Sequence, residues 1–405
     1  MGTCCSISRS PHHDHHHHSQ EGDAEWHNYN EKDQLAMADD QYIKNGDGAR
    51  VRFHGSSRFI SMYTQQGRKG VNQDSMTVWE NFNGEKDSFY CGVFDGHGPS
   101  GHEVSRMVRD NLPTKLSSLV KKTSTNYKSD RFFSNWENNF INSFEDMDEE
   151  LGVESSLNAY SSGCTAVNVV KQGDNLIISN LGDSRAVLCT RDGNNHLSPV
   201  QLTTDLKPDI PEEVERIKSR KGRVFPMEEE PEVFRIWMPE EDCPGLAMTR
   251  AFGDFCLKDY GLIPTPQVTY RKITSNDEFV VLATDGVWDV LTNSEVVKIV
   301  ASSRKRSLAA RLLVDQATRA WRYRYPSSKV DDIAVVCMFF KERPIVHERS
   351  DNGSELNKNF AEVGPRHGRK KLKSDDGLDT VVNCEVSRTE NRGLTRRRQP
   401  QQSHR

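Results

Sequence analysis

Residues 93–101 read VFDGHGPSG: two apolar residues run into Asp95, Gly96, His97 and Gly98 without a break. An Asp-Gly pair is a common turn, because glycine readily takes the positive φ that tight turns demand. The chain supplies its own controls. Asp192-Gly193 lies in the wholly polar TRDGNNH and Asp376-Gly377 in the charged KSDDGLD, where a turn accounts for the pair. Asp95 differs because it ends the apolar-rich run SFYCGVF, and Asp285 ends EFVVLAT in the same way. Both runs have the composition and length of buried strands, which places both Asp-Gly pairs at strand ends of a folded core.

Comparable runs recur between Phe59 and Phe340: SMTVW, CTAVNVV, NLIISN, RAVLC and IAVVCMFF. Their Val, Ile and Phe content and length of about five to eight residues predict strands, and KQGDN at 171–175 reads as a hairpin connection. Helices are expected near 101–122, 129–151, 211–221, 292–304 and 307–322. Thr292-Asn293-Ser294-Glu295 has the pattern of a capping box ahead of VVKIV. Strands, then helix pairs, then strands again, without regular βαβ alternation, indicate an α+β fold with antiparallel sheet. A single domain is expected over 56–342. Within it the stretch 223–245 is acidic and carries prolines, yet it contains Phe225, Phe234, Ile236 and Trp237. A solvated linker would not carry those aromatics, so an ordered flap is expected there, with docking as one reading.

Only 35% of the 405 residues are hydrophobic and the mean hydropathy is −0.74, which fits one folded region diluted by polar tails. The leader, 1–55, is rich in His, Asp, Asn and Gly, with HHDHHHH at 12–18, and is expected to be disordered. The tail, 343–405, is expected to be disordered and basic, with GRKKLK at 368–373 and TRRRQ at 395–399. A net charge of −5 makes no global case for nucleic acid. No apolar run approaches the roughly 20 residues of a spanning helix and no signal-peptide core is present, which favours the cytosol. Nine cysteines occur without a Cys-x-x-Cys pair, so reduced core thiols are expected rather than a disulfide frame or a zinc site. Met1-Gly2-Thr3-Cys4-Cys5-Ser6 fits the pattern for N-myristoylation at Gly2. A palmitoyl group on Cys4 or Cys5 would add the second signal that stable anchoring needs, giving an expected location at the cytosolic face of the plasma membrane. A short motif at a chain start can also be accidental, and the basic tail fits membrane contact or nuclear import equally, so cytosol and nucleus stay open.

Asp331 and Asp332 stand just before IAVVCMFF, whereas Asp95 and Asp285 stand just past their runs. Strands of opposite direction in one sheet bring such ends together. Clustered carboxylates repel and raise one another's pKa unless a cation neutralises them. An oxygen-only donor set calls for a hard ion such as Mg²⁺ or Mn²⁺ rather than zinc. Two such ions suit phosphoryl chemistry. On pattern alone, unrelated strand-end turn residues remain an equal reading.

GRKGVNQDS (67–75), VFDGHGPSG (93–101), SGCTAV (162–167), NLGDSRAVL (180–188), GLAMTRAFGD (245–254), LATDGVWDVL (282–291) and VDDIAVV (330–336) occur in that order. The series resembles that of the metal-dependent type 2C protein serine/threonine phosphatases, from about Arg58 to Lys341, and is silent on both tails. The resemblance implies two packed antiparallel β-sheets flanked by helices, an α-β-β-α sandwich. It implies that Asp95 bridges two Mg²⁺ or Mn²⁺ ions, that the Gly96 carbonyl binds one, and that Asp285 and Asp331 hold the other. Asp331 is preferred to Asp332 because the family's aspartate stands directly before the residue that opens Ile-Ala-Val-Val. Asp74 corresponds to an acidic residue that holds metal-bound water. Asp183 and Asp289 match positions tied to a weaker third ion, with aspartates satisfied by turn amides as the competing reading.

The implied reaction is direct attack of a metal-activated water on the phosphoester, with His97 giving a proton to the departing oxygen. The bland alternative for His97 is a solvated turn histidine. Lys69 stands where a family arginine grips phosphate, and Gln73 where an acid is common. Lysine holds phosphate as a point charge without the guanidinium fork, and Arg68 next to it is a possible substitute. The string Lys-Gly-Val-Asn-Gln-Asp is similar to the form in a plant branch of the family. The implied partners are phosphorylated proteins and kinases in signalling, with no nucleic acid and a monomeric state. The rival function is a catalytically weak, phosphoprotein-binding scaffold; a two-metal nuclease has no basic groove to support it.

Overall fold

The computed structural model describes residues 43–44, 49–123, 131–341 and 381–382, all within one compact unit. Eleven strands carry the fold: β1 Arg50–Arg52, β2 Ile60–Gln65, β3 Asp74–Glu80, β4 Ser88–His97, β5 Ala166–Gln172, β6 Asn175–Leu181, β7 Arg185–Arg191, β8 Leu197–Gln201, β9 Gln267–Lys272, β10 Asp277–Ala283 and β11 Ile333–Phe339. One antiparallel sheet runs β1-β3-β4-β5-β6-β9, with Ile43–Lys44 added beside β1. The other runs β8-β7-β10-β11-β2, with Gly55–Ser56 added beside β2.

Alternate residues of each strand point to opposite faces, and here both faces are covered. In β10, Val280 and Leu282 join Val78, Cys91, Val93, Val167, Ile178 and Val336 in a core between the sheets. Phe279, Val281 and Ala283 of the same strand face a separate outer core. That double burial is why the strands read as unbroken apolar runs rather than as an alternation.

Helices α1 (Gly101–Lys122) and α2 (Phe132–Val153) cover the first sheet. Val104, Val108, Leu112, Leu116 and Val120 of α1 recur every fourth residue and are all buried. Trp136, Phe140, Phe144, Met147 and Leu151 form the matching stripe of α2. The second sheet is covered by α5 (Asn293–Ser302) and α6 (Ala309–Arg324), numbered after α3 (Pro211–Ser219) and the single turn α4 (Asp285–Trp288). The expected capping box forms: Thr292 accepts from the Glu295 amide and the Glu295 carboxylate accepts from the Thr292 amide. The layers are helix, sheet, sheet, helix.

Several details differ from the sequence reading. The first sheet begins inside the expected leader, since β1 pairs with β3 and Ala49 and Val51 are buried. Strands β2, β8 and β9 were not expected. Strands β8 and β9 lie at sheet edges with half-exposed or exposed side chains, and β8 holds Pro199, so neither has a continuous apolar run. The flap is a small antiparallel sheet of Arg223–Pro226, Phe234–Trp237 and Gly245–Leu246. Its aromatics earn their place: Phe225 stacks on Trp237 at 5.1 Å, and buried Arg235 pairs with Glu230 at 2.9 Å. Val381–Val382, within the expected disordered tail, pairs with Gly245–Leu246. Cys91, Cys164, Cys189, Cys256 and Cys337 are buried free thiols as expected, whereas Cys243 of the flap is disulfide-bonded. Among the described residues no helix is long and apolar enough to cross a membrane. Gly2, Cys4 and Cys5 lie outside the described residues.

Candidate active site

Strands β3 and β4 pair with Asp74 directly opposite Asp95, two carboxylates across one rung of the ladder. Like charges so placed destabilise a sheet unless something compensates them. In the other sheet β10 and β11 pair antiparallel, Ala283 opposite Val335. Asp285, just past β10, therefore neighbours Asp331 and Asp332, just before β11. Strand direction alone predicts all these ends in one sheet. Asp95 instead comes from the facing sheet and lies within its strand, so the carboxylates meet across the sandwich.

The cluster is buried, and its charges act on one another. Burial, reinforced by Asp332, holds Asp74 well above the usual carboxylate range, against a hydrogen bond from Thr284 Oγ1 at 2.8 Å. Burial and then the charges of Asp285 and Asp74 raise Asp95 in the same way. Asp285 is raised by burial and by Asp183, and is in side-chain hydrogen-bond contact with Asp95. Asp331 is pushed up to about 6 by burial, with Lys69 pulling the other way, and Asp289 to about 7 by burial and Asp285. Burial works against the charged form of each group, and a proton or a cation relieves it.

Two lysines supply part of that charge. Lys69 Nζ lies 2.8 Å from Asp331 Oδ2. Arg68 is exposed, and its backbone N–H donates to the Val330 carbonyl, so the structure brings Lys69 into the cluster and leaves Arg68 at its rim. Lys207, which the sequence reading missed, lies 3.5 Å from buried Asp183 and is held charged against its burial by Asp183, Asp289 and Asp285. Its only signal in the sequence is a lysine in a polar loop.

Asp332 has a different task. It accepts the Gly67 amide at 2.7 Å and the Gln73 amide at 2.9 Å, pinning both ends of the loop that bears Lys69. Gln73 continues the tie: its side-chain Nε2 donates to the Gly98 carbonyl, and its backbone carbonyl accepts from the Gly96 amide and Ser105 Oγ. The amide side chain that replaces an acid thus stitches the first motif to VFDGHGPSG. The reversal itself occurs at Gly98, with φ of 83°, and not at Gly96. Glycine is needed at 96 for another reason: a Cβ there would lie 2.2 Å from the Gly101 carbonyl oxygen and 2.7 Å from that of Gln73.

His97 is buried, not solvated. Its Nε2 lies 2.5 Å from Asp254 Oδ2, and Asp254 closes the quoted GLAMTRAFGD although the sequence reading gave it no role. A Gly-Asp pair after an apolar run, as at Asp95-Gly96 in reverse order, is the signal that was available.

The residues fit hard divalent ions. Donors are oxygens alone, Asp74, Asp95, Asp183, Asp285, Asp289 and Asp331 converge, and among the described residues the buried Asp183 Oδ1 has no hydrogen-bond partner. No bond from a turn amide to the Asp183 side chain is present among the described residues. Nor, among those residues, do three carboxylate, imidazole or thiol groups close into a ready-made cage. Lys69 and Lys207 take up part of the charge.

The chain matches the Protein phosphatase 2C family over residues 60–321, more than half its length. It belongs to the protein phosphatase 2C family. "Probable protein phosphatase 2C 65" of Arabidopsis thaliana is 54% identical over 312 residues, covering 75% of this chain and 81% of that protein. "Probable protein phosphatase 2C 73" of Oryza sativa subsp. japonica is 56% identical over 307 residues, covering 70% and 73%. The crystal structure of serine-threonine phosphatase 2C from Toxoplasma gondii superposes with a TM-score of 0.66 at 25% identity, covering 72% of this chain and 99% of that one. This protein phosphatase 2C is a hydrolase of the metal-dependent protein serine/threonine phosphatase class, and its sandwich is the family fold.

Proposed function

We propose that this protein phosphatase 2C hydrolyses phosphoserine and phosphothreonine on proteins with two Mg²⁺ or Mn²⁺ ions held by Asp95, the Gly96 carbonyl, Asp285 and Asp331. The observation that carries the reading is the contact between Asp95 and Asp285 across the two sheets, inside a buried cluster of carboxylates. Such a cluster has no structural use that an apolar core would not serve better, and it costs stability unless cations offset it. When bound, the ions neutralise the aspartates and lower the pKa of a water toward neutrality, so no nucleophilic serine or cysteine is required.

The chain's own residues do the rest. Asp74, fixed by Thr284, orients the attacking water. Lys69, on a loop pinned by Asp332, meets a phosphate oxygen. His97 gives a proton to the departing seryl or threonyl oxygen. Asp183 and Asp289 serve a weaker third ion, beside Lys207.

The test is phosphate release from a phosphothreonine peptide by the purified full chain in EDTA, Mg²⁺ or Mn²⁺, beside Asp95→Asn. Turnover should need the metal and fall by roughly a hundredfold or more in the variant. Turnover in EDTA, or an equally active variant, would sink the assignment.

A further inference from the structure

The His97–Asp254 contact is built with more support than a chance ion pair. Both side chains are almost fully buried, at 4% and 2% exposure. A carboxylate only accepts, so the hydrogen between them belongs to Nε2 of the imidazole. The remaining nitrogen, Nδ1, is buried and has no hydrogen-bond partner among the described residues. One nitrogen is thus committed to the protein and the other is left for something that arrives.

The backbone accepts strain to make this contact. Asp254 adopts φ 51° and ψ 45°, the left-handed region, directly after Gly253 at φ 71°. A non-glycine residue held there is disfavoured and persists only where its surroundings fix it. They do so here. The Asp254 amide donates to the Ser162 carbonyl at 3.0 Å, and the Gly253 amide donates to Asp148 Oδ1 at 2.8 Å. Asp148, on α2, also holds Lys258 at 2.7 Å, and Lys258 donates back to the Ala251 carbonyl. Opposite the pair, a Cβ at Gly163 would lie 2.2 Å from Asp254 Oδ2 and 2.8 Å from His97 Nε2.

From this geometry we propose that Asp254 is a positioning residue for His97: it fixes the ring and its tautomer so that Nδ1 is the nitrogen that protonates the leaving oxygen. The inference rests on the proton-donor reading of His97. In the step, the oxygen of water bonds to phosphorus and the bond from phosphorus to the seryl or threonyl oxygen breaks. That oxygen keeps the electron pair and takes the Nδ1 proton, leaving as the alcohol. A proton from the attacking water restores Nδ1.

A merely structural ion pair would matter equally for every substrate, whereas a proton donor matters only for a poor leaving group. The experiment compares kcat on a phosphothreonine peptide with kcat on p-nitrophenyl phosphate, whose phenolate departs without a proton. Asp254→Asn, His97→Gln and the double variant are assayed at saturating Mn²⁺, with unfolding midpoints recorded. Asp254→Asn should lose roughly 10- to 100-fold on the peptide, with a loss at least tenfold smaller on the aryl ester. The double variant should be no worse than His97→Gln. If His97→Gln shows the split and Asp254→Asn does not, Asp254 has no positioning role. If His97→Gln shows no split, the proton-donor reading fails and this inference falls with it. Should Asp254→Asn not fold, ¹⁵N-histidine spectra of the wild-type chain decide: the resonance lost in His97→Gln must report hydrogen on Nε2, and hydrogen on Nδ1 alone would overturn the proposal.

Discussion

Lys69 and Arg68 are neighbours with the same charge, and only their surroundings separate them. Lys69 reaches Asp331, and its loop is tied down at Gly67 and Gln73 by the two oxygens of Asp332. Arg68 is fixed through its backbone and exposes its side chain. A charge held in place binds a phosphate oxygen better than one that must be ordered first. Lys69→Ala should therefore lose about tenfold in kcat/KM on a phosphopeptide, the order expected for one charge-assisted hydrogen bond. Arg68→Ala should lose less than about twofold. Steady-state kinetics on both variants decide the matter, and equal losses would refute the assignment. At this scale the meeting of Asp95, Asp285 and Asp331 was legible because each sits at or near a strand end. Asp332 accepts the Gly67 and Gln73 amides and so holds the Lys69 loop. Neither the Asp332 bonds nor the Asp254 contact was legible, because each joins residues more than a hundred positions apart.

The elements were legible where burial is two-sided. Strands β4, β10 and β11 are buried at every position, so their central stretches are runs rich in apolar residues. The edge strands β8 and β9 carry a mixed signal and escaped notice. What no run could reveal is which sheet each strand joins, and that decides that Asp95 approaches Asp285 from across the core. The turn at 95–98 shows the same limit: the dipeptide pointed to Gly96, yet Gly98 reverses the chain and Gly96 admits two carbonyls. Gly96→Ala forces those carbonyls apart. It should cost roughly 1–3 kcal/mol, lowering the unfolding midpoint by about 3 °C or more. Gly193→Ala, with no atom of the described residues near its added Cβ and no positive φ, is the control and should leave the midpoint within about 1 °C. A Gly96→Ala midpoint equal to that of the control would mean that the crowding is relieved by small shifts.

For the whole molecule the carboxylate cluster is a liability that the rest of the fold holds together. Asp331 rises to about 6 and Asp289 to about 7, both from an ordinary 3.8, and Asp74, Asp95 and Asp285 are raised as well. A carboxylate whose folded pKa exceeds its unfolded value binds its proton more tightly in the folded state. Its contribution to stability is full below about pH 3.8 and is lost as pH rises through about 6 and 7. Groups shifted the other way, such as Glu213 at about 2 beside Arg250 and Arg216, lose their contribution only in stronger acid and leave this window untouched. In EDTA the unfolding midpoint should therefore fall by several degrees between pH 5 and pH 8. Mn²⁺ replaces the protons that the rising pH removes, so it should raise the midpoint strongly at pH 8 and little at pH 5. Asp95→Asn removes one of the mutually repelling charges, so it should flatten the EDTA profile and reduce the Mn²⁺ effect together. A midpoint in EDTA that stays level from pH 5 to pH 8 would show that the cluster is relaxed without ions, and the electrostatic argument for metal at this site would go with it.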